Sequence, residues 1–213
     1  TAVSAKMLPY YPDPNRNDLT RNFVNNKPNI SNSDTVTGRL DYDLGKQTKL
    51  FGDYSWRRSF NGKISSLPEF GTDESIGNQS ASASLTHAFK RNEVLSINIK
   101  FQRDSELELS KHAYRSGLLR SLGIQGVTTL DGMDEGLPQF DISGYATLGL
   151  GQGMGVGSPN AFFRNSYVAI ADFAFVQGKH HFGSGAELRR NEINNQRTWG
   201  YRRGQFGFSG YFT

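Results

Sequence analysis

Three pairs of runs in this chain alternate apolar with polar residues; a very short turn joins each pair, and long polar loops separate the pairs. That rhythm of short turn and long loop restricts the fold to antiparallel up-and-down strands and suits the wall of a transmembrane β-barrel. In the first pair Val36, Leu40, Tyr42 and Leu44 fall on one face, with Gly38 among them, because side chains alternate with period two. Thr37, Arg39, Asp41 and Asp43 fall on the other. Gly45 to Gln47 make the turn, and the return run sets Leu50, Tyr54 and Trp56 against Lys49, Asp53, Ser55 and Arg57, with Phe51 breaking the pattern.

The second pair turns at Lys90 to Glu93 and contains the cleanest two-residue period, in which Leu95, Ile97, Ile99 and Phe101 alternate with Ser96, Asn98, Lys100 and Gln102. The third, "SYVAIADFAF", carries Phe173 and Phe175 on its apolar face and turns at Gln177 to Lys179. It returns with Phe182, Ala186 and Leu188 opposite His181, Glu187 and Arg189. The expected organisation is an outer loop with a short helix over 1–33, a hairpin over 34–58, a loop over 59–78 and a hairpin over 79–103. A long outer loop over 104–164 follows, then a hairpin over 165–192, a loop over 193–203 and the start of a further strand over 204–213. Within the long loop "GLLRSLGI" suits a turn or two of helix.

Only 36% of the 213 residues are hydrophobic, 24 are glycine and the mean hydropathy is −0.57. That is lean for a soluble core of this size, whereas a barrel wall turns only alternate residues toward lipid. The longest apolar run, Tyr167 to Val176, is interrupted by Asp172 and is too short for a membrane-spanning helix, so any passage through a membrane is by strands. The chain opens on "TAVSAKML" without an initiator Met or signal peptide and is expected to be a section of something longer.

Several chemistries are disfavoured. There is no cysteine, which removes disulfides, thiolate metal sites and cysteine nucleophiles. The net charge of +4 is spread among acidic residues with no basic stripe, so nucleic acid is not an expected partner. The run "GLGQGMGVGSP" lacks both the Gly-Lys-Ser/Thr of a P-loop and the helix that a dinucleotide fingerprint requires, and reads as a surface loop. His180 and His181 are adjacent and point to opposite faces of a strand, while His87 and His112 belong to other segments, so no metal site is expected. Asp41 and Asp43 share a face with Arg39 and read as a salt-bridged wall rather than a catalytic pair. No catalytic residue, cofactor site or enzyme activity is expected. Trp56, Tyr54 and Tyr42, with Trp199, Tyr201 and Tyr211, suit an aromatic girdle at the headgroup level.

Several segments resemble, in order and spacing, the barrel of TonB-dependent outer-membrane receptors of the Oar-like group, which carry a carboxypeptidase-regulatory-like domain. They are "TAVSAKMLPYYPDPN", "DTVTGRLDYDLGKQTKLFGDYSWRRS", "GLPQFDISGYATLG", "GKHHFGSGAELRRNEINNQ" and "RGQFGFSGYFT". The resemblance implies a section of a barrel of about 22 strands that binds a scarce or bulky solute and imports it. It implies as partners outer-membrane lipid, the protein's own plug domain and the TonB complex, the last two through sequence outside this chain, together with a solute of unknown identity. About seven strands are expected here. Lumen-facing residues would be Arg39, Asp41, Asp43, Asp53, Arg57, Asn98, Lys100, Glu187 and Arg189. Lipid-facing residues would be Val36, Leu40, Tyr42, Leu44, Tyr54, Trp56, Leu95, Ile97, Ile99, Phe101, Phe173 and Phe175. The rival reading is a soluble or surface-attached all-β binding or adhesion module without transport activity.

Overall fold

A computed structural model describes residues 2–127, 129, 131–148, 159–197 and 202–209. Its elements in chain order are α1 (Ala2–Met7), β1 (Ile30–Leu44), β2 (Thr48–Lys63), β3 (Thr72–Lys90), β4 (Glu93–Ser110), α2 (Leu118–Ser121), β5 (Gln139–Ile142), β6 (Asn160–Gln177), β7 (His180–Arg197) and β8 (Gln205–Phe208). Short 3₁₀ turns lie at Leu8–Tyr10, Pro68–Phe70 and Gly132–Asp134. None of the described helices is long and apolar enough to cross a membrane, which says nothing of strands.

Six strands form one antiparallel sheet in the order β1-β2-β3-β4-β6-β7, open at β1 and β7. The turns after β1, β3 and β6 are short and sit at one end, and the long connections sit at the other. Gly45 and Gly178 make two of these turns with φ of +77° and +59°, a region that favours glycine because a Cβ would crowd the backbone there.

The hairpins run past their expected limits. Strands cover 30–63, 72–110 and 160–197, so the loop expected over 59–78 shrinks to 64–71 and the loop over 104–164 to 111–159. The start of β3, "TDES", has no apolar residue, whereas "SELELS" keeps its period, with Leu107 and Leu109 alternating with Glu106 and Glu108, although the expected hairpin stopped at 103; a backbone ladder needs no apolar face. The long connection is not irregular either, since it contains α2, β5 and a 3₁₀ turn. The loop expected over 193–203 begins only after Arg197. The terminal strand is present as β8, but among the described residues it pairs in parallel with β5 instead of extending the large sheet.

The hydrophobic core lies beyond the loop end of the sheet. Met7, Leu67, Phe70, Leu119, Leu122, Ile124, Leu137, Phe140 and Leu148 cluster there, with Tyr10, Tyr11 and Phe206 packed against them. Four separate segments thus build one cap. Lys6 Nζ donates to Ser121 O at 2.7 Å, Asn25 Nδ2 to Ser65 O at 2.8 Å and Tyr11 Oη to Ala146 O at 3.1 Å, which stitch the N-terminal segment to both loops. Phe140 stacks on Phe206 and Phe208 at ring-centroid distances of 5.1 and 6.1 Å.

Candidate functional site: a two-faced wall and its cap

Residues directly opposite one another in an antiparallel ladder share a face, so the registers carry side-chain direction across all six strands. One row reads Leu40, Gly52, Ala83, Ile99, Ala169, Leu188, and the next toward the turns Tyr42, Leu50, Leu85, Ile97, Ala171, Ala186. Val36, Leu44, Tyr54, Trp56, Leu95, Phe101, Phe173 and Phe175 belong to this same face. Leu40, Ile99 and Leu188 are 70%, 58% and 73% exposed, and soluble monomers rarely expose so extended an apolar face. At about 3.4 Å per residue, Val36 to Leu44 covers about 27 Å of strand. A tilt of about 40° shortens this to about 21 Å, close to the ~25 Å apolar band of a membrane barrel. Polar residues enter this face toward the loops, where Arg190 shares the row of Tyr54, Phe101 and Tyr167 and, one row on, Gln79, Arg103, Asn165 and Glu192 stand in register beside Trp56.

The opposite face is polar. Its rows include Arg39, Asp53, Ser82, Lys100, Val168, Arg189 and, next, Asp41, Phe51, Ser84, Asn98, Ile170, Glu187. Asp43 and Arg57 share it, so the nine residues expected together on the charged face do lie together. Arg39 binds Asp41 through two hydrogen bonds of 2.7 and 2.9 Å and holds its guanidinium 4.7 Å from the Phe51 ring centroid. Arg189 donates to Glu187 at 3.0 Å, and Ser82 donates to Asp53.

Farther toward the loops, alternation from Asn98 and Lys100 leads to a denser cluster that the sequence reading missed. Asp104 accepts from Asn78 at 3.0 Å and from Gln102 at 3.2 Å, and pairs with Arg164. Glu74 accepts from Asn61 and Lys63, each at 3.0 Å. The signal was available, because positions 102, 104, 106 and 108 continue the period of the preceding strand. The buried polar strand residues Ser59, Thr72, Glu74 and Ser110 all belong to this face at the loop end. Ser110 Oγ donates to Glu135 O at 2.9 Å, so the cap leans over the polar side of the sheet.

Inside the cap, Glu69 accepts from Lys111 Nζ at 2.7 Å, which holds its carboxyl below the usual range despite partial burial. Its other oxygen lies 3.1 Å from His112 Nε2 without the alignment of a hydrogen bond. His112 is 3% exposed, and burial pushes its pKa down although the Glu69 charge opposes the shift. Arg203, 1% exposed, donates to Leu137 O at 3.2 Å, and burial brings it down to about 10 against the pull of Asp134 and Glu135. Arg202 pairs with Asp134 at 2.7 Å, so this dipeptide ties β8 to the long loop. A cleft of about 630 Å³ opens among Leu119, Ile124, Val127, Arg120, Gln125 and Glu135.

Among the described residues no group of three or more His, Cys, Asp or Glu side chains could hold a metal ion. His87 and His180 share the apolar face near the turns and His181 takes the polar face. The glycine run over 149–157 and Trp199, Tyr201 and Tyr211 lie outside the described residues.

An open sheet with one membrane-height apolar face, one charged face, short turns at one end and loops at the other is the section of wall that a barrel needs. The family described as "Outer membrane beta barrel domain" matches the chain over residues 1–213. The chain belongs to this family. No curated protein and no solved structure matches it. Membership places the barrel domain in the outer membrane and gives it lipid as an environment, and it accounts for a sheet whose apolar residues are exposed while its core sits in the loops.

Proposed function

We propose that this outer-membrane barrel domain is wall and outer cap of a TonB-dependent receptor, which binds a scarce or bulky solute with its loops and imports it past a plug. In this reading the apolar face, from Val36 to Phe175, meets lipid and the charged face, from Arg39 to Arg189, lines the lumen. The short turns face the periplasm and the long loops the outside.

The observation that carries the reading is the cap. Four segments, far apart in the chain, give up loop freedom to form a common apolar core over the polar side of the wall. Ordering loops costs about 1–2 kcal/mol of backbone entropy per residue, so a merely structural wall gains nothing from it. A receptor gains a preformed surface, and the cleft beside α2 combines apolar walls with Arg120 and Glu135, as a solute pocket does.

The test is retention of the periplasmic domain of TonB by the full-length protein, purified in detergent. Retention that is lost on deleting the N-terminal TonB-contacting segment supports import. No retention in the presence of bacterial culture extract as a solute source would move the assignment to a surface adhesion or structural barrel.

A further inference from the structure

The turn end of the sheet has a charge pattern that the receptor reading does not use. Each of the three short turns carries a cation: Lys46 in the first, Lys90 and Arg91 in the second and Lys179 in the third. All four residues are exposed. Lys90 meets Glu93 at 3.0 Å, while Lys46, Arg91 and Lys179 have no carboxylate within ion-pair distance among the described residues. Asp43 and Asp172, the other acids at this end, stand in one row of the polar face with Lys49 between them and the turns' cations outside it.

Directly above these turns the apolar face ends in rings. Phe89 packs edge-on to His87 at 4.5 Å, and Phe175 stacks on Phe182 at 4.7 Å, with His180 at 6.2 Å from Phe182. Phe89 and Phe182 are 49% and 48% exposed. Aromatic rings at such a level mark the boundary between hydrocarbon and headgroups, which puts the turn cations at phosphate depth. The loop end of the same face differs: Arg190 is paired with Glu192 at 2.8 Å and Arg103 lies over Phe163.

We propose that the three basic turns and the aromatic row above them form a binding surface for anionic phospholipid headgroups, selecting them from the leaflet that the turns reach. The lipid commits the occupant: the surface is continuous with the apolar band of an outer-membrane barrel, and its unpaired charge is of one sign. The inference rests on the facing assignment above and not on import. Each cation near an anionic surface favours association by about fivefold at most, and the effect fades within a Debye length.

The experiment extracts the full-length protein with its surrounding lipid from vesicles of phosphatidylethanolamine and phosphatidylglycerol, using a copolymer that needs no detergent, and measures the lipid ratio in the disc. Several-fold enrichment of phosphatidylglycerol over the vesicle bulk is expected, falling as salt rises. The combined K46Q, K90Q, R91Q and K179Q variant should return the ratio to bulk, while R103Q with R58Q, whose arginine lies opposite Asp34 one row nearer the loops than Trp56, should leave it unchanged. Bulk ratio in the natural protein overturns the proposal, as does enrichment that survives the four-residue change. Should that variant fail to insert, the salt series on the natural protein decides alone, and an enrichment indifferent to salt overturns the proposal. Depletion of phosphatidylglycerol around the natural protein would likewise overturn it.

Discussion

Phe51 sits on the charged face because its register partner there is Asp41, and the Arg39 guanidinium over its ring gives it a polar neighbour it can accept. Neighbouring positions on one strand therefore have opposite environments, and that contrast is sharpest on β4. Ile97 lies between Leu85 and Ala171 and Ile99 between Ala83 and Ala169, whereas Asn98 lies between Ser84 and Ile170. Arginine at 97 or 99 should cost about 2–4 kcal/mol when the full-length protein folds into vesicles, and arginine at 98 much less. Equal losses in urea titrations would overturn the facing assignment. In the cap, the shifted His112 and Glu69 act in the same direction as pH falls. His112 has a folded pKa below its ordinary 6.5, so the unfolded cap takes up the proton first and stability falls as pH drops through that value. Glu69 is held below its ordinary 4.5 by Lys111, so its contribution is present above that value and is lost on further acidification. Hydrogen exchange at Tyr114 and Lys111, corrected for intrinsic rate, should quicken below about pH 6.5, and His112→Leu should remove that first step. Protection flat from pH 7 to 5 would show that burial at His112 is not coupled to cap opening. The faces were legible in the sequence from side-chain parity alone. His112 was not, since its burial comes from loops that meet only in the fold.

At the scale of the element, the hairpins are set by their turns. Gly45 and Gly178 hold positive φ at the tips of the first and third hairpins, and a Cβ at either position would meet nothing within 4 Å, so a substitution there strains the backbone without a clash. Valine at either position should cost about 1–2 kcal/mol, because a β-branched L-residue is disfavoured in that region. The cost should appear as a lower urea midpoint for refolding in vesicles, with the slope unchanged. Alanine should cost less than valine. Turn positions were readable because glycine and polar residues interrupt the alternation. Strand ends were legible only in part: "TDES" at the start of β3 has no apolar beat although its hydrogen bonds continue, whereas Leu107 and Leu109 keep the period of β4 to its end. Residues 72–75 are the plain case: Thr72, Asp73, Glu74 and Ser75 give no apolar beat, yet they pair with 107–110 to the last residue of β4.

For the molecule as a whole, the apolar residues divide into two populations with opposite fates. Those of the sheet are exposed in rows, and those of the cap are buried without any period, at positions as scattered as Met7, Phe70, Leu119 and Leu148. No spacing rule reaches across four segments, which is why the sequence suggested a turn or two of helix within "GLLRSLGI" but not the core that it joins. The two populations also make different demands on the surroundings. The cap can bury its own core in water, but among the described residues β1 and β7 each present an unpaired row of backbone groups and the sheet between them is oily on one side. In water such edges pair with other copies, and in lipid each unpaired group costs several kcal/mol. Residues 1–213 expressed alone in plain buffer should therefore sediment as aggregates with strand-type circular dichroism, and detergent should disperse them without giving the resistance to heat in SDS that a closed barrel shows. A sharp, cooperative, monomeric unfolding transition in buffer would mean that the exposed face is covered from within the chain, and the wall assignment would fall with it.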